Sequence, residues 1–180
     1  DNPADAQKAI DFGAEGIGLF RIEHMFYGEN SEVPLEKLRN MILADTLEAR
    51  KAALAELEPY VRESAKGTLK VMEGYPVCIR FLDPPLHEFV PQTEEKQREV
   101  AKARGIEYDQ LHARIESMHE VNPMMGLRGV RLGIIYPEIT EMQFRALFSA
   151  TVELMKEGKH PMLEIMVPLT INVKELEHQK

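Results

Sequence analysis

Residues 76–91 read PVCIRFLDPPLHEFVP, a short apolar run followed by two adjacent prolines. The run at 77–82 is nearly all apolar, which is typical of a strand buried on both faces of a parallel sheet. Arg80 is its one charged residue, and a charge in such a strand must be paired or point into a site. Pro84 and Pro85 predict an extended turn after the strand, because proline restricts its own backbone and that of the preceding residue.

Short apolar runs alternate with helical patterns on both sides of this strand. Residues 16–20 and 162–167 are two further strand candidates, and the second contains one charged residue, Glu164. Helical spacing of apolar residues predicts the other elements. The first predicted helix lies at 5–12, after an Asn2-Pro3 cap, and a long helical stretch from Pro34 continues or restarts up to Val61. Two helices are predicted within 93–118, divided near Gly105. Two more are predicted at 137–156 and after 167 through Lys180.

The segment 126–135 (GLRGVRLGII) allows two interpretations that its apolar pattern does not separate. It is either one strand or a very short strand at 127–129 that leads into a helix from Val130. We favour the short strand, because it places Arg128 near the carboxyl end of a strand. The chain then contains about four strands separated by helices, and this order favours parallel βα units and the α/β class.

Composition argues against several classes of function. The net charge of -8 disfavours broad nucleic-acid binding, which needs a basic surface. The longest apolar run is far shorter than a membrane span, and we expect no secretion signal because no charged-then-apolar leader opens the sequence. The one cysteine, Cys78, rules out an intrachain disulfide and fits a reducing, cytoplasmic compartment, and its apolar neighbours predict a buried, inert thiol. No histidine pair has the spacing of a zinc helix, so no metal site is expected.

Three arginines stand where a parallel α/β fold builds its sites. Arg21 and Arg80 lie at or near the carboxyl ends of two predicted strands, and Arg128 lies at the third junction. Ligands of such folds bind outside these strand ends. Arginine holds anions well because its planar fork offers several donors and stays charged, so converging arginines predict a phosphate site. The alternative is three local ion pairs: Arg21 with Glu23, Arg80 with Asp83, and Arg128 with a nearby acid.

Taken together, the motifs resemble the pyruvate, phosphate dikinases, a family of phosphoenolpyruvate-utilising enzymes. The matching runs cover nearly the whole chain in the family's order: GAEGIGLFRIEHMF at 13–26, PVCIRFLDPPLHEFVP at 76–91, NPMMGLRGVRL at 122–132, YPEITEM at 136–142 and EIMVPL at 164–169. The run DPPLHEFVP is similar to the dikinases and not to two related groups, the phosphoenolpyruvate synthases and the phosphoenolpyruvate-dependent enzyme of the sugar phosphotransferase system. A fragment of either relative, or a truncated non-catalytic binding module, stays open as an alternative.

The resemblance implies a (β/α)8 TIM-type barrel that binds phosphoenolpyruvate or pyruvate. Residues 1–180 would form part of this barrel domain, with about four parallel strands and helical insertions. The resemblance assigns the phosphate of phosphoenolpyruvate to Arg21, Arg80 and Arg128, with Asp83 and Asn122 in supporting positions. In the family, a phosphohistidine on a mobile domain carries the phosphoryl group between an ATP-binding domain and the barrel. The remaining domains of a full enzyme, and a homo-oligomeric assembly, are therefore expected partners.

The chain departs from the family pattern near two of the arginines. Ile22 replaces the usual threonine, Phe20 a cysteine and Leu127 a histidine, and Ile22 thereby removes a hydroxyl donor close to the phosphate site. The resemblance places the family's Mg2+-binding acids, and the cysteine proposed to protonate the enolate, beyond Lys180. We therefore expect no bound metal and no complete catalytic set in this chain, an inactive isolated chain, and apolar surface exposed beside unpaired strand edges.

Overall fold

The computed structural model describes residues 2–28 and 31–180, and these residues form three strands and eight α-helices. The strands are β1 (Ile17–Arg21), β2 (Pro76–Arg80) and β3 (Met162–Met166). The helices are α1 (Pro3–Asp11), α2 (Glu32–Ile42), α3 (Leu47–Val71), α4 (Glu94–Arg104), α5 (Tyr108–Met118), α6 (Gly129–Ile135), α7 (Pro137–Lys156) and α8 (Val173–His178). Two short 3-10 helices lie at Ile22–Phe26 and Leu86–Glu88.

The strands form one parallel sheet with β2 between β1 and β3. Arg21 lies opposite Arg80, and Arg80 lies opposite Met166, so the carboxyl ends of the three strands are level. After β2 the N–H of Phe81 still donates to the carbonyl oxygen of Met166 at 3.0 Å, and the N–H of Leu82 then leaves the sheet and donates to the side-chain oxygen of Gln143 on α7 at 2.7 Å. The strands predicted at 16–20, 77–82 and 162–167 are each confirmed, with ends that differ by one or two residues.

The predicted short strand at 127–129 is wrong, so the described residues hold three parallel strands and not about four. Arg128 is the cap residue before α6, and Gly129 has a φ of +56°, a left-handed conformation that does not continue a strand. The N–H of Val130 donates to the carbonyl oxygen of Pro168 at 2.9 Å. This segment is therefore held by the loop after β3 instead of by a strand ladder, and the α/β class stands.

The helix predictions are confirmed where local signals mark the helix ends. α7 occupies the predicted residues, and Gly105, with a φ of +67°, separates α4 from α5. The long helical stretch from Pro34 restarts, because Thr46 caps α3 by accepting a hydrogen bond from the N–H of Ala49 at 3.1 Å. Among the described residues, no helix combines the length and the apolar character that crossing a membrane requires.

One hydrophobic core joins the sheet to α3 and α7. The sheet contributes Phe20, Val77 and Ile79, and the helices contribute buried residues such as Leu57 and Leu147. Successive side chains of a strand point to opposite faces of the sheet. Cys78 and Arg80 of β2 therefore face away from this core, so the strand that anchors the fold also presents the arginine.

Candidate anion-binding site

The ends of β1 and β2 bring the first two arginines together. Arg21 and Arg80 are the last residues of their strands and are direct Cα partners across the parallel pairing. Because paired residues on adjacent parallel strands point to the same face, both side chains leave the sheet on the side opposite the hydrophobic core. The positions expected from the sequence for these two residues thus correspond to neighbouring positions in the fold.

Two buried carboxylates hold the guanidinium group of Arg80. Its Nη2 donates to Oε1 of Glu23, which lies in the 3-10 turn directly after β1. Its Nη1 lies 3.1 Å from Oδ2 of Asp83, three residues further along the chain. Glu23 and Asp83 are 3% and 6% exposed, so both carboxylates are shielded from water and depend on these cations for compensation.

Asp83 connects the third arginine to the same cluster. Nε of Arg128 donates to the backbone oxygen of Asp83, and Nη2 donates to its Oδ2, both at 3.1 Å. The local ion pair expected for Arg80 is therefore present, and the same Asp83 is the acid beside Arg128. A single carboxylate oxygen thus lies between two guanidinium groups from different parts of the chain.

The loop after β3 fixes the backbone that carries Arg128. Besides the hydrogen bond from Val130 to Pro168, the two segments approach so closely that a Cβ at Gly129 would lie 2.9 Å from the carbonyl oxygen of Pro168. Leu169, the next residue, has a φ of +61°, the one positive φ among the described residues other than glycine. Backbone strain of this kind persists where surrounding contacts determine the conformation, and here it lies in the loop that contacts the segment after Arg128.

Asn122 is not brought into the cluster by any contact of the described residues. Its side chain is exposed, and its Oδ1 accepts a hydrogen bond from the N–H of Met124 at 3.0 Å. This is a local turn of the kind that asparagine commonly forms. Asn122 therefore stabilises a turn in the loop that precedes Arg128, six positions before that arginine in the sequence.

The cluster makes its surroundings unfavourable for further positive charge. Burial lowers the pKa of His24, and the neighbouring charge of Arg21 lowers this pKa further, while Glu23 opposes the shift. Arg21 lowers this pKa more than Glu23 raises it, so positive charge outweighs the neighbouring acid at His24. An anion that binds here would experience the same field as an attraction.

Three polar atoms of the cluster are buried without a hydrogen-bond partner among the described residues: Nε of Arg80, Oε2 of Glu23 and Oδ1 of Asp83. Buried polar atoms are almost always paired in native proteins. These three unpaired atoms lie at the carboxyl ends of the strands, where ligands of parallel α/β folds bind.

Sequence reasoning missed Glu23 as a member of this cluster. The local ion-pair interpretation placed it beside Arg21, while its described ion pair is with Arg80, on the neighbouring strand. A signal for this contact exists in the sequence, because a carboxylate two residues after one strand end can reach an arginine that ends the adjacent parallel strand. Using that signal requires the register of β1 on β2, which the sequence pattern does not specify.

The described residues do not fit a magnesium ion. No group of three or more metal-ligating side chains occurs within residues 2–28 and 31–180. Glu23 and Asp83, the two buried acids of the cluster, each face guanidinium groups at hydrogen-bond distance. A divalent cation between them would have to displace an arginine, so we derive no chemical step through a metal here.

Known proteins are similar to this chain over its whole length. The family model for the PEP-binding domain of PEP-utilising enzymes matches residues 1–180. The chain is 48% identical over 181 residues to pyruvate, phosphate dikinase of Clostridium symbiosum, with 100% of this chain and 20% of that protein covered. It is 49% identical to the chloroplastic pyruvate, phosphate dikinase 1 of Oryza sativa subsp. japonica, with 99% of this chain and 19% of that protein covered. The chain is 48% identical to pyruvate, phosphate dikinase of Giardia intestinalis, with 98% of this chain and 20% of that protein covered.

The chain spans about 20% of the length of the relatives that it matches. The similarity is nonetheless continuous from one end of the chain to the other, and it includes all the segments that carry the three arginines. The chain belongs to the family of PEP-binding domains of phosphoenolpyruvate-utilising enzymes.

Proposed function

We propose that this chain binds the phosphoryl group of phosphoenolpyruvate through Arg21, Arg80 and Arg128. The observation that carries the proposal is the pairing of Arg21 with Arg80 at adjacent strand ends, joined to Arg128 through Asp83. Guanidinium groups suit this ligand because their planar forks match phosphate oxygens and stay charged at any working pH. The run DPPLHEFVP and the relatives named above support a dikinase, in preference to the synthase or the sugar phosphotransferase enzyme.

The proposed reaction is that of a pyruvate, phosphate dikinase, which converts ATP, pyruvate and phosphate to AMP, phosphoenolpyruvate and diphosphate. At this site a phosphohistidine would transfer its phosphoryl group to the enolate oxygen of pyruvate: the P–N bond breaks and an O–P bond forms. Phosphoryl transfer depends mainly on positioning and on stabilising the charge of the equatorial oxygens. The three arginines would supply both effects, in a setting where buried acids already fix the directions of Arg80 and Arg128.

The supporting residues act on the arginines and not on the substrate. Asp83 fixes the relative position of Arg80 and Arg128 by forming an ion pair with Arg80 and accepting a hydrogen bond from Arg128. Asn122 stabilises the turn at the start of the segment that ends in Arg128, through its hydrogen bond with Met124. We expect substitutions of Asp83 to affect substrate binding more strongly than substitutions of Asn122, because the first acts on two charged groups directly.

The wider setting follows from the same proposal. Residues 1–180 would form part of a TIM-type barrel domain whose three described strands continue in further βα units of a longer, homo-oligomeric enzyme. Mg2+ would be held by acids outside the described residues, and the 180-residue chain alone would not turn over. A cytoplasmic location stays a prediction, since some of the matched relatives carry the name chloroplastic.

Titration of phosphoenolpyruvate against the intact chain and against Arg80→Ala tests the proposal. We expect the variant to bind at least tenfold more weakly, since a charge-assisted hydrogen bond to a phosphate is worth roughly 1.5–3 kcal/mol. Arg98→Ala is the matched control, because Arg98 is an exposed arginine of α4 whose ion pair is with Glu94. Equal binding by wild type and Arg80→Ala, or binding by neither, would contradict the proposed function.

A further inference from the structure

Glu23 has no role in the phosphate site implied by the sequence, yet it is the most deeply buried acid of the arginine cluster. It is 3% exposed and lies in the turn directly after β1. Its ion pair with Arg80 joins residues 57 positions apart in the chain. A carboxylate buried to this degree is costly unless it is paired. The described pairing of Glu23 is with Arg80.

The geometry gives Glu23 a different task from that of Asp83. Asp83 contacts both Arg80 and Arg128, while the described ion pair of Glu23 is with Arg80. The two acids engage the two terminal nitrogens of the Arg80 guanidinium, Nη2 for Glu23 and Nη1 for Asp83. Contacts at both terminal nitrogens prevent the guanidinium group from rotating about the Cδ–Nε bond of Arg80. The Nε atom itself is also buried.

We propose that Glu23 is a positioning residue that sets the direction of the Arg80 guanidinium for phosphoryl transfer. The proposal rests on the proposed function, and it adds a residue that acts through Arg80 without touching substrate. A misplacement of about 1 Å in a reacting assembly costs roughly a hundredfold in rate. Glu23 would therefore contribute to turnover by keeping Arg80 aligned with the oxygens of the phosphoryl group as charge develops on them.

Electrostatics predicts that loss of the Glu23 charge lowers the rate of turnover without weakening the binding of substrate. Glu23 is an anion beside a site for an anion, so removal of its charge makes the field at Arg80 more positive. Phosphoenolpyruvate should then bind no more weakly than in the wild type. The alignment of Arg80 would be lost at the same time, and the rate of the chemical step would fall. A residue that acted by holding substrate would instead raise KM.

Steady-state kinetics of Glu23→Gln, in the natural polypeptide that carries this sequence, tests the proposal. We expect kcat to fall by about tenfold to a hundredfold, with a KM for phosphoenolpyruvate that is unchanged or lower. Glu23→Asp keeps the charge but shortens the side chain by one methylene, so its kcat should lie between those of Glu23→Gln and the wild type. Glu138→Gln is the matched control: Oε1 of Glu138 is 2.5 Å from Nε of Arg50, in a buried ion pair between α7 and α3.

The control should lose thermal stability without a change in kcat, since its ion pair joins two helices. Glu23→Gln with a wild-type kcat would overturn the proposal, whatever its melting temperature, and so would a raised KM at constant kcat. If Glu23→Gln does not fold, Glu23→Asp decides the question: a reduced kcat at constant KM supports positioning, and a wild-type kcat contradicts it. Arg80→Ala separates this result from the proposed function. If Arg80→Ala had wild-type kinetics, Arg80 would have no part in the reaction, and Glu23 could not act through it.

Discussion

The two faces of the parallel sheet carry opposite kinds of side chain. On one face, Val77 and Ile79 are fully buried and share a core with α3 and α7. On the other face, the same strand presents Cys78 and Arg80, and β3 presents Glu164 in register with Cys78. The first face is apolar and packed, and the second carries charge at positions that alternate with the core residues. One strand of five residues therefore supports both stability and the candidate site, through the two-residue period of β structure.

Because the two faces differ in this way, we expect substitutions on them to have separable effects. A core-face substitution should change the free energy of unfolding, while a site-face substitution should change ligand binding or local chemistry. The residues of β2 alternate between the two, so neighbouring positions provide a comparison at constant backbone environment.

Ile79→Ala should give the largest loss of stability. Ile79 is 0% exposed and packs at the centre of the core face, so the substitution leaves a cavity that the surrounding helices cannot fill. We expect the free energy of unfolding to fall by roughly 2–5 kcal/mol, measured by urea denaturation. Cys78→Ala is the control on the opposite face and should cost less than about 1 kcal/mol. Similar losses for the two variants would break the distinction between the faces.

Gly129→Ala should have an intermediate effect, on both stability and anion binding. An alanine at a φ of +56° is strained, and its Cβ would approach the carbonyl oxygen of Pro168 to 2.9 Å. We expect a loss of about 1–3 kcal/mol in the free energy of unfolding. Because the adjacent residue is Arg128, affinity for phosphoenolpyruvate should also fall.

Gly105→Ala separates the backbone strain of that variant from its steric contact. Gly105 has a φ of +67°, and a Cβ there would meet no atom within 4 Å. The Gly105→Ala variant should lose free energy of unfolding through backbone strain alone. Its affinity for phosphoenolpyruvate should be unchanged. If both glycine variants weaken binding equally, the contact between Gly129 and Pro168 does not position Arg128.

Glu164→Gln should have the smallest effect, and it reports on the site face directly. Burial raises the pKa of the Cys78 thiol, and the negative charge of Glu164 raises it further. The thiolate is the reactive form, so Cys78 should alkylate slowly at pH 8 and faster as pH rises. Removing the charge of Glu164 should lower this pKa and speed alkylation by iodoacetamide by less than about tenfold, which corresponds to less than one pKa unit. A slower rate in Glu164→Gln would mean that the two side chains do not share a face.

Much of the fold could be predicted from the sequence because its signals are local. The ends of α7 follow from Pro137 and an apolar stripe at helical spacing, and Gly105 marks the boundary between α4 and α5. The strand at 77–82 was recognisable from its apolar run. The predicted helix from Val130 is confirmed as α6, while the strand at 127–129 is wrong, because both interpretations of that apolar pattern began with a strand. The left-handed backbone of Gly129 depends on a loop about 40 residues further along the chain.

The sequence alone determined the residue type of the three arginines of the candidate site and the place of Arg21 and Arg80 at strand ends, but not the place of Arg128 before α6. Which acid faces which arginine was decided by tertiary structure. Glu23 lies two residues from Arg21 in the sequence and yet pairs with Arg80, and Asp83 joins Arg80 to Arg128 across 45 residues. For Glu23 the physical reason is the register of β1 on β2, and for Arg128 it is the contact of its segment with the loop after β3; no local sequence pattern encodes either.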